Sequence, residues 1–232
     1  MQETNGTGDR EVKAIIFDMD NTLLEFYEAK LKACNAVVEH IGEGDGEELL
    51  NYFFRGYGFE DHRNIQDYLM DLGVGVDAEL GECCRIYEDV KLQSVWPYPG
   101  VRETLEKLKR MGLRLGVVTD AFNGHAVSRL RRVGLEEFFD VVVSADMTGT
   151  RKPETDSLEL ALERLGVNAE ESLMVGDSLN RDIEAGRRLG MRTAYAAYGS
   201  KRFERMDGAD LVLREFRGLL DLLKVENGIR LG

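Results

Sequence analysis

The sequence predicts an α/β protein: a Rossmann-like three-layer core on a parallel sheet, interrupted by an inserted all-helical block. Three observations predict it. An apolar run, Ala14-Ile15-Ile16-Phe17, stops at two carboxylates with a single residue between them, Asp18 and Asp20. The stretch from there to about Val95 has helical spacing and no strand-like apolar run. Beyond it, helical and strand-like segments alternate almost to the end, the pattern of parallel strands joined by right-handed crossovers.

The run after Val12 has the length and β-branched content of a fully buried strand. Leu23, Leu24, Tyr27, Leu31, Cys34, Val37, Val38 and Ile41 then recur at helical spacing and stop near Gly42 and Gly44. Further helices are predicted around 47–54, 64–72 and 77–95. Trp96-Pro97-Tyr98-Pro99-Gly100 carries two of the chain's three prolines and reads as a linker. Helices follow at 103–111, 124–133, 155–165, 181–189 and 216–223. Strands are predicted at 113–118, 139–143, 172–175, 193–197 and 211–213. The first strand has too few neighbours to stand alone, so it joins the later sheet. The core is therefore discontinuous, residues 11–22 and 98–232, with 23–97 inserted as a helical domain.

At 232 residues the chain can bury a sizeable core. Its 43% hydrophobic and 31% charged residues are those of an ordinary globular protein. A formal net charge of -13 argues against nucleic acid as a partner, because that binding needs basic surface. It also repels anionic substrates, so any phosphate site must be locally positive. No apolar stretch approaches the roughly 18 residues of a membrane span, and residues 1–9 are polar, a short frayed extension without a signal-peptide core. Cys34, Cys83 and Cys84 form neither a disulfide framework nor a zinc spacing, which suits a reducing cytoplasm.

Two acids at the tip of a buried strand are costly unless something positive joins them. A hard cation with oxygen ligands is the natural partner, and magnesium is typically held by one or two carboxylates plus a substrate phosphate. Other strand ends carry related residues. The strand from Leu113 ends at Thr119-Asp120, and the strand from Ser172 ends at Gly176-Asp177-Ser178, with Asp182 four residues further on. In a parallel sheet these ends share one pole, where open α/β sheets bind ligands. Arg151-Lys152-Pro153 adds a basic pair just before a helix. Acids for a cation, a hydroxyl donor and a lysine together suit a phosphoryl group.

These residues resemble the haloacid dehalogenase superfamily of aspartate-nucleophile phosphohydrolases. Asp18-Met19-Asp20-Asn21-Thr22 is similar to its first motif and Thr119 to its second. Lys152-Pro153 is similar to the third, and Asp177 with Asp182 to the fourth, all in order. The resemblance covers about residues 11–223 and is weakest in the helical block, which corresponds to the family's first cap type. It implies that Asp18 attacks phosphorus to form an aspartyl phosphate. Asp20 protonates the leaving alcohol and later takes a proton from water. Magnesium is held by the Asp18 side chain, the Asp20 backbone carbonyl and Asp177. Thr119 and neighbouring backbone N–H groups, including that of Asp120, bind phosphate oxygens, and Lys152 neutralises both carboxylate and phosphate. Asp182 orients Lys152 or a metal-bound water, and Thr22 and Ser178 support the same cluster.

Other readings stay open at this stage. Thr119 and Ser178 can cap the helices that follow them, Lys152 can be a solvated residue before a helix, and Asp182 can be an exposed acid at a helix start. Lys30, Lys32 and Lys91 sit among acids and read as solvated helix faces. His40, His62 and His125 have no metal-like spacing, though His125 is close in sequence to Thr119. Asp20 favours phosphate esters over carbon–halogen chemistry. The expected activity is therefore a magnesium-dependent phosphatase acting on a small phosphorylated metabolite, resembling archaeal family members that act on compounds such as glyceraldehyde 3-phosphate. A sugar-phosphate mutase of the same superfamily and a non-enzymatic phosphoryl receiver are the alternatives. The aromatic stretch from Tyr52 to Phe59 is either core packing or, from Arg55 to His62, a substrate-facing loop.

Overall fold

The computed structural model describes residues 11–58, 60–200 and 208–226. The polar start and Phe59 lie outside the described residues. Six strands form one parallel sheet: β1 (Ala14–Phe17), β2 (Arg114–Thr119), β3 (Val141–Ser144), β4 (Ser172–Gly176), β5 (Arg192–Ala196) and β6 (Leu211–Leu213). Their spatial order is β3-β2-β1-β4-β5-β6. Central β1 pairs with β2 on one side and β4 on the other, with Phe17 opposite both Val117 and Val175. The order reverses beside β1, so a crevice opens at the carboxyl ends of β1, β2 and β4.

Between β1 and β2 the chain leaves the sheet and forms four helices, α1 (Phe26–Ile41), α2 (Gly46–Arg55), α3 (Arg63–Leu72) and α4 (Val76–Ser94). This insert has its own apolar cluster, in which Cys34, Leu50, Phe53, Tyr68 and Tyr87 are buried. Phe53 and Tyr87 stack there with ring centres 4.8 Å apart. Chain exit and return run side by side. Glu25 N–H donates to Trp96 O at 2.9 Å, Tyr98 N–H donates to Leu23 O at 3.0 Å, and Leu24 and Pro97 form an antiparallel bridge.

The remaining helices are α5 (Val101–Arg110), α6 (Asn123–Arg132), the short α7 (Ala145–Thr148), α8 (Asp156–Leu165), α9 (Glu184–Arg188) and α10 (Gly218–Glu226). Strand pleating decides which face each covers. Ile15 and Phe17 point into the cluster built with α5, α6 and α10, whereas Ala14 and Ile16 point into the one built with α8 and α9. Helices on both faces of a largely buried parallel sheet make the three layers that the sequence predicts.

Local differences from the sequence reading have physical causes. Residues 22–25 are a tight turn, not the start of a helix. Leu23 and Leu24 N–H both donate to Met19 O, Asn21 takes a positive φ of 61°, and its Oδ1 accepts from Tyr27 N–H at 2.9 Å, so Asn21 caps α1 from five residues upstream of it. Gly199 packs so closely on this turn that a Cβ would collide with Asn21 O. The strand expected from 139 starts at Val141, after a 3₁₀ turn at Glu136–Phe138. Phe139 instead sets its ring edge-on to Phe17, with centres 6.3 Å apart. The helix expected at 181–189 opens with a π-type turn, Leu179–Ile183, where the N–H groups of Asp182 and Ile183 both donate to Ser178 O.

Ile15 has no exposed surface and lies on the central strand. Ile15→Ala is expected to cost about 2–5 kcal/mol, measured as a lower urea midpoint with an unchanged slope.

Candidate active site

The sheet delivers its acids by ending. Asp18 directly follows β1, and its backbone N–H donates to Val175 O at 2.8 Å, so the strand ladder fixes the residue. Its carboxylate is buried. Oδ1 accepts from Lys152 Nζ at 2.5 Å and Oδ2 accepts from Thr22 Oγ1 at 3.2 Å. Lys152 is as deeply placed. Its ammonium has no exposed surface and reaches Asp18 Oδ1, Asp182 Oδ1 at 2.7 Å and the Val118 carbonyl at 3.0 Å. The contacts to Asp18 and Val118 are hydrogen bonds, and Asp182 stands at ion-pair distance. The peptide joining Lys152 to Pro153 is cis.

Asp177, just past β4, brings a third carboxylate. Ligand oxygens of Asp18, Asp177 and Asp182 all lie within 4.8 Å of one another. Asp182 is not the exposed helix-start acid that its position after Ser178 allows. It is fully buried, pairs with Lys152, and accepts Ser178 N–H through Oδ2 at 3.0 Å. Gly176 makes this possible, because a methyl group there would collide with the Asp182 side chain.

One buried ammonium cannot neutralise three buried acids. Burial pushes the Asp18 carboxyl up to about 7; Lys152 opposes the rise and Asp182 adds to it. Burial also raises Asp177 well above the ordinary carboxylate range, with Asp18 and Asp182 adding to the effect. For Lys152, burial works against the charged form, but Asp18 and Asp182 outweigh it and hold the amine protonated. Asp177 Oδ1 is buried without a hydrogen-bond partner among the described residues, and Arg181 Nη2 stands 4.0 Å away. An orphaned carboxylate oxygen beside two further acids is a donor set suited to a hard divalent cation.

Asp20 lies apart from this cluster. Its Oδ2 accepts from Arg129 Nη1 of α6 at 2.6 Å, while Oδ1 is buried without a hydrogen-bond partner among the described residues. Burial raises its carboxyl above the ordinary range, with Arg129 pulling the other way. Thr119 is buried at the end of β2, and its Oγ1 accepts Ala121 N–H at 3.2 Å, so it does not cap α6. The Ser178 side chain likewise makes no capping bond to the turn that follows it. The Asp120 carboxylate is taken up by Lys152 N–H and Arg181 Nη1, both at 3.1 Å. Only its backbone N–H remains as a donor for an anion.

The helical insert corrects one expectation and divides another. Lys30 and Lys91 are not solvated faces: they are 3% and 2% exposed. Burial drives the Lys30 amine down to about 7, and its Nζ lies 4.5 Å from the Phe53 ring centre. Lys91 pairs with Glu88 at 2.7 Å. Lys32 is exposed as expected. Within the aromatic stretch, Phe53 is core, whereas Tyr57 is exposed with the Arg63 guanidinium 4.1 Å from its ring centre. Glu60 is the residue of this loop that reaches the crevice, contacting Arg129 and lying 3.2 Å from His125 Nδ1. Glu60, Arg129 and Arg181 are not among the motif residues that mark the site in the sequence. A signal existed for Arg129, which falls on the apolar stripe of Ala126, Leu130 and Val133, where an arginine must find buried partners.

The profile of the haloacid dehalogenase-like hydrolases matches residues 15–196. The chain belongs to this family. Among curated relatives of this hydrolase, glyceraldehyde 3-phosphate phosphatase of Methanocaldococcus jannaschii is 32% identical, over 92% of this chain and 97% of that protein. Pyrophosphatase PpaX of Halalkalibacterium halodurans is also 32% identical, over 93% and 99%. Among solved structures, a Thermotoga maritima protein provisionally assigned as a β-phosphoglucomutase matches with a TM-score of 0.78 at 25% identity. That match covers 92% of this chain and 99% of the other. Two relatives equally similar to this haloacid dehalogenase-like hydrolase carry different substrate names, so overall similarity does not choose a substrate.

Lys152→Met leaves Asp18 and Asp182 buried beside each other without their cation. It is expected to lower stability by about 3–5 kcal/mol, read by chemical denaturation at neutral pH. The loss should shrink as the medium is acidified and the carboxyls protonate. A second outcome concerns pH and metal. With its carboxyl raised from 3.8 to about 7, Asp18 binds its proton more tightly in the folded state. Its contribution to metal-free stability is therefore fully present below the lower value and is lost as pH rises to the upper one. A magnesium ion bound at this cluster would compete with that proton, so the rise in melting temperature on adding magnesium should be larger near pH 8 than near pH 5, and Asp177→Asn should abolish it.

Proposed function

We propose that this hydrolase is a magnesium-dependent phosphatase that releases phosphate from a small phosphomonoester through an aspartyl-phosphate intermediate. One observation carries the reading: two aspartates, two residues apart, are held in different places by different cations. Asp18 is clamped by Lys152 inside a carboxylate cluster, and Asp20 is turned toward Arg129 at the border with the insert. A nucleophile and an acid–base need to be held at separate positions around the phosphoryl group.

In this reading the Asp18 carboxylate attacks phosphorus while the bond from phosphorus to the ester oxygen breaks. Asp20 delivers a proton to that departing oxygen. Water then attacks the aspartyl phosphate, Asp20 takes its proton, and Asp18 is regenerated. Lys152 offsets charge on both nucleophile and phosphate. Thr119 Oγ1 and the Asp120 backbone N–H face the phosphate oxygens, and Thr22, Ser178 and Asp182 hold Asp18 and Lys152 in register. The Asp18 and Asp177 side chains and the Asp20 backbone carbonyl would hold magnesium. The ion supplies charge neutralisation between carboxylate and phosphate.

The insert, residues 23–97, serves as a cap over the core made of residues 11–22 and 98–232. It excludes water and contacts the leaving group. A triose phosphate or similar small metabolite is the substrate class that the archaeal relative suggests. A mutase reading draws on the Thermotoga neighbour and differs in the second half-reaction, where a sugar hydroxyl replaces water. All three thiols are unpaired, as a reducing cytoplasm would keep them. Among the described residues no helix is long and apolar enough to cross a membrane.

Purified protein with magnesium should release inorganic phosphate from a panel of phosphorylated metabolites. Asp18→Asn should abolish release, and Asp20→Asn should slow it about 10²–10⁴-fold. Interconversion of sugar phosphates without net phosphate release identifies the mutase instead, and normal turnover by Asp18→Asn overturns the nucleophile.

A further inference from the structure

Arg129 is a buried cation that the chemistry above does not use. Its side chain is 2% exposed, yet it touches groups from three parts of the chain. Nη1 donates to Asp20 Oδ2 at 2.6 Å, and Nη2 pairs with Glu60 of the insert. The guanidinium carbon lies 3.9 Å from the centre of the Phe26 ring, at the first residue of α1. Glu60 also lies near two further basic groups, with His125 Nδ1 at 3.2 Å and Lys91 Nζ at 4.0 Å. Lys91 continues to Glu88 at 2.7 Å, and Glu88 to His62 at 2.9 Å. A chain of alternating charges therefore runs from Asp20 through Arg129 into the insert.

A guanidinium is planar and presents its donors in a fixed fork, so pairing both ends fixes its orientation. Burying it is costly unless both ends are paired. Asp20 and the insert's Glu60 supply those two ends, and stacking on Phe26 fixes the plane. With Oδ2 held by Arg129, the Asp20 carboxyl group cannot rotate freely. Its other oxygen, Oδ1, is the one buried without a hydrogen-bond partner among the described residues. That is the oxygen available to exchange a proton with substrate.

We infer that Arg129 is a positioning residue for Asp20, anchored by Glu60, so that the acid–base is aimed only while the insert lies over the core. The inference rests on the phosphatase reading and ties leaving-group protonation to the contact between insert and core. Glu60 would then act on the chemistry without touching phosphate.

Two esters of similar shape separate this role from a structural one. Phenyl phosphate releases a phenol as weakly acidic as a tyrosine side chain, with a pKa of about 10, and depends on proton donation. 4-Nitrophenyl phosphate releases a far more acidic phenol and depends on it much less. With magnesium present, kcat/KM is measured for both esters in wild type, Arg129→Met, Arg129→Lys and Glu60→Gln. The expected result is a loss in Arg129→Met at least about tenfold larger for phenyl phosphate than for the nitro ester. Arg129→Lys should recover much of that difference, and Glu60→Gln should show the same selective loss at smaller size. Equal losses on the two esters overturn the inference. If Arg129→Met does not fold, Glu60→Gln decides, and an unchanged ratio between the esters overturns it. Wild-type protein that hydrolyses neither ester overturns the phosphatase reading, a separate result.

Discussion

The Lys152 ammonium, closed off from solvent between Asp18 and Asp182, is the interaction on which the rest of the site depends. Without it, three carboxylates would converge at the end of a buried sheet with no fully buried cation among them. With it, the cluster is still short of positive charge, which is why Asp18 and Asp177 sit so far above their ordinary range. The fold tolerates this stored repulsion because each acid is fixed by backbone that the core over-determines. β1 carries Asp18, β4 carries Asp177, and Gly176 leaves room for Asp182 to double back. A carboxylate cluster this short of positive charge is a donor set suited to a divalent cation.

The second constraint is separation. Asp18 and Asp20 are two residues apart, but the tight turn at Asn21 sends the chain away from the sheet immediately after them. Asp18 stays with the core and its lysine, while Asp20 faces α6 and the insert. The antiparallel bridge between Leu24 and Pro97 brings the chain's exit to the insert and its return side by side. Chemistry on the core side and recognition on the insert side can therefore be served by different residues, and the proposed role of Arg129 links the two.

What the sequence made legible follows from what is local. Buried strands announce themselves as short apolar runs, and the strand-end acids Asp18 and Asp177 follow directly from where those runs stop. Lys152 was readable through its motif with Pro153 and its order between the other stations. The turn at 22–25 was hidden because Leu23 and Leu24 continue the helical spacing of α1 while their backbone bonds to Met19 instead. Lys30 and Lys91 have acids beside them along the chain, which suggests solvent, yet both are buried, Lys30 against the Phe53 ring of α2 and Lys91 paired with Glu88 of its own helix. Glu60 and Arg129 are 69 positions apart. No periodicity within either segment encodes their meeting.

The central claim is that Asp18 becomes covalently phosphorylated. Turnover of an aryl phosphate with magnesium, quenched in acid during the steady state and followed by peptide mass mapping, tests it directly. The account predicts a phosphoryl group on the peptide that begins the first strand, placed on the Asp18 side chain by fragmentation and absent after substrate is exhausted. Sustained turnover with Asp18 unmodified at every quench time, or with the phosphoryl group on another residue, contradicts it.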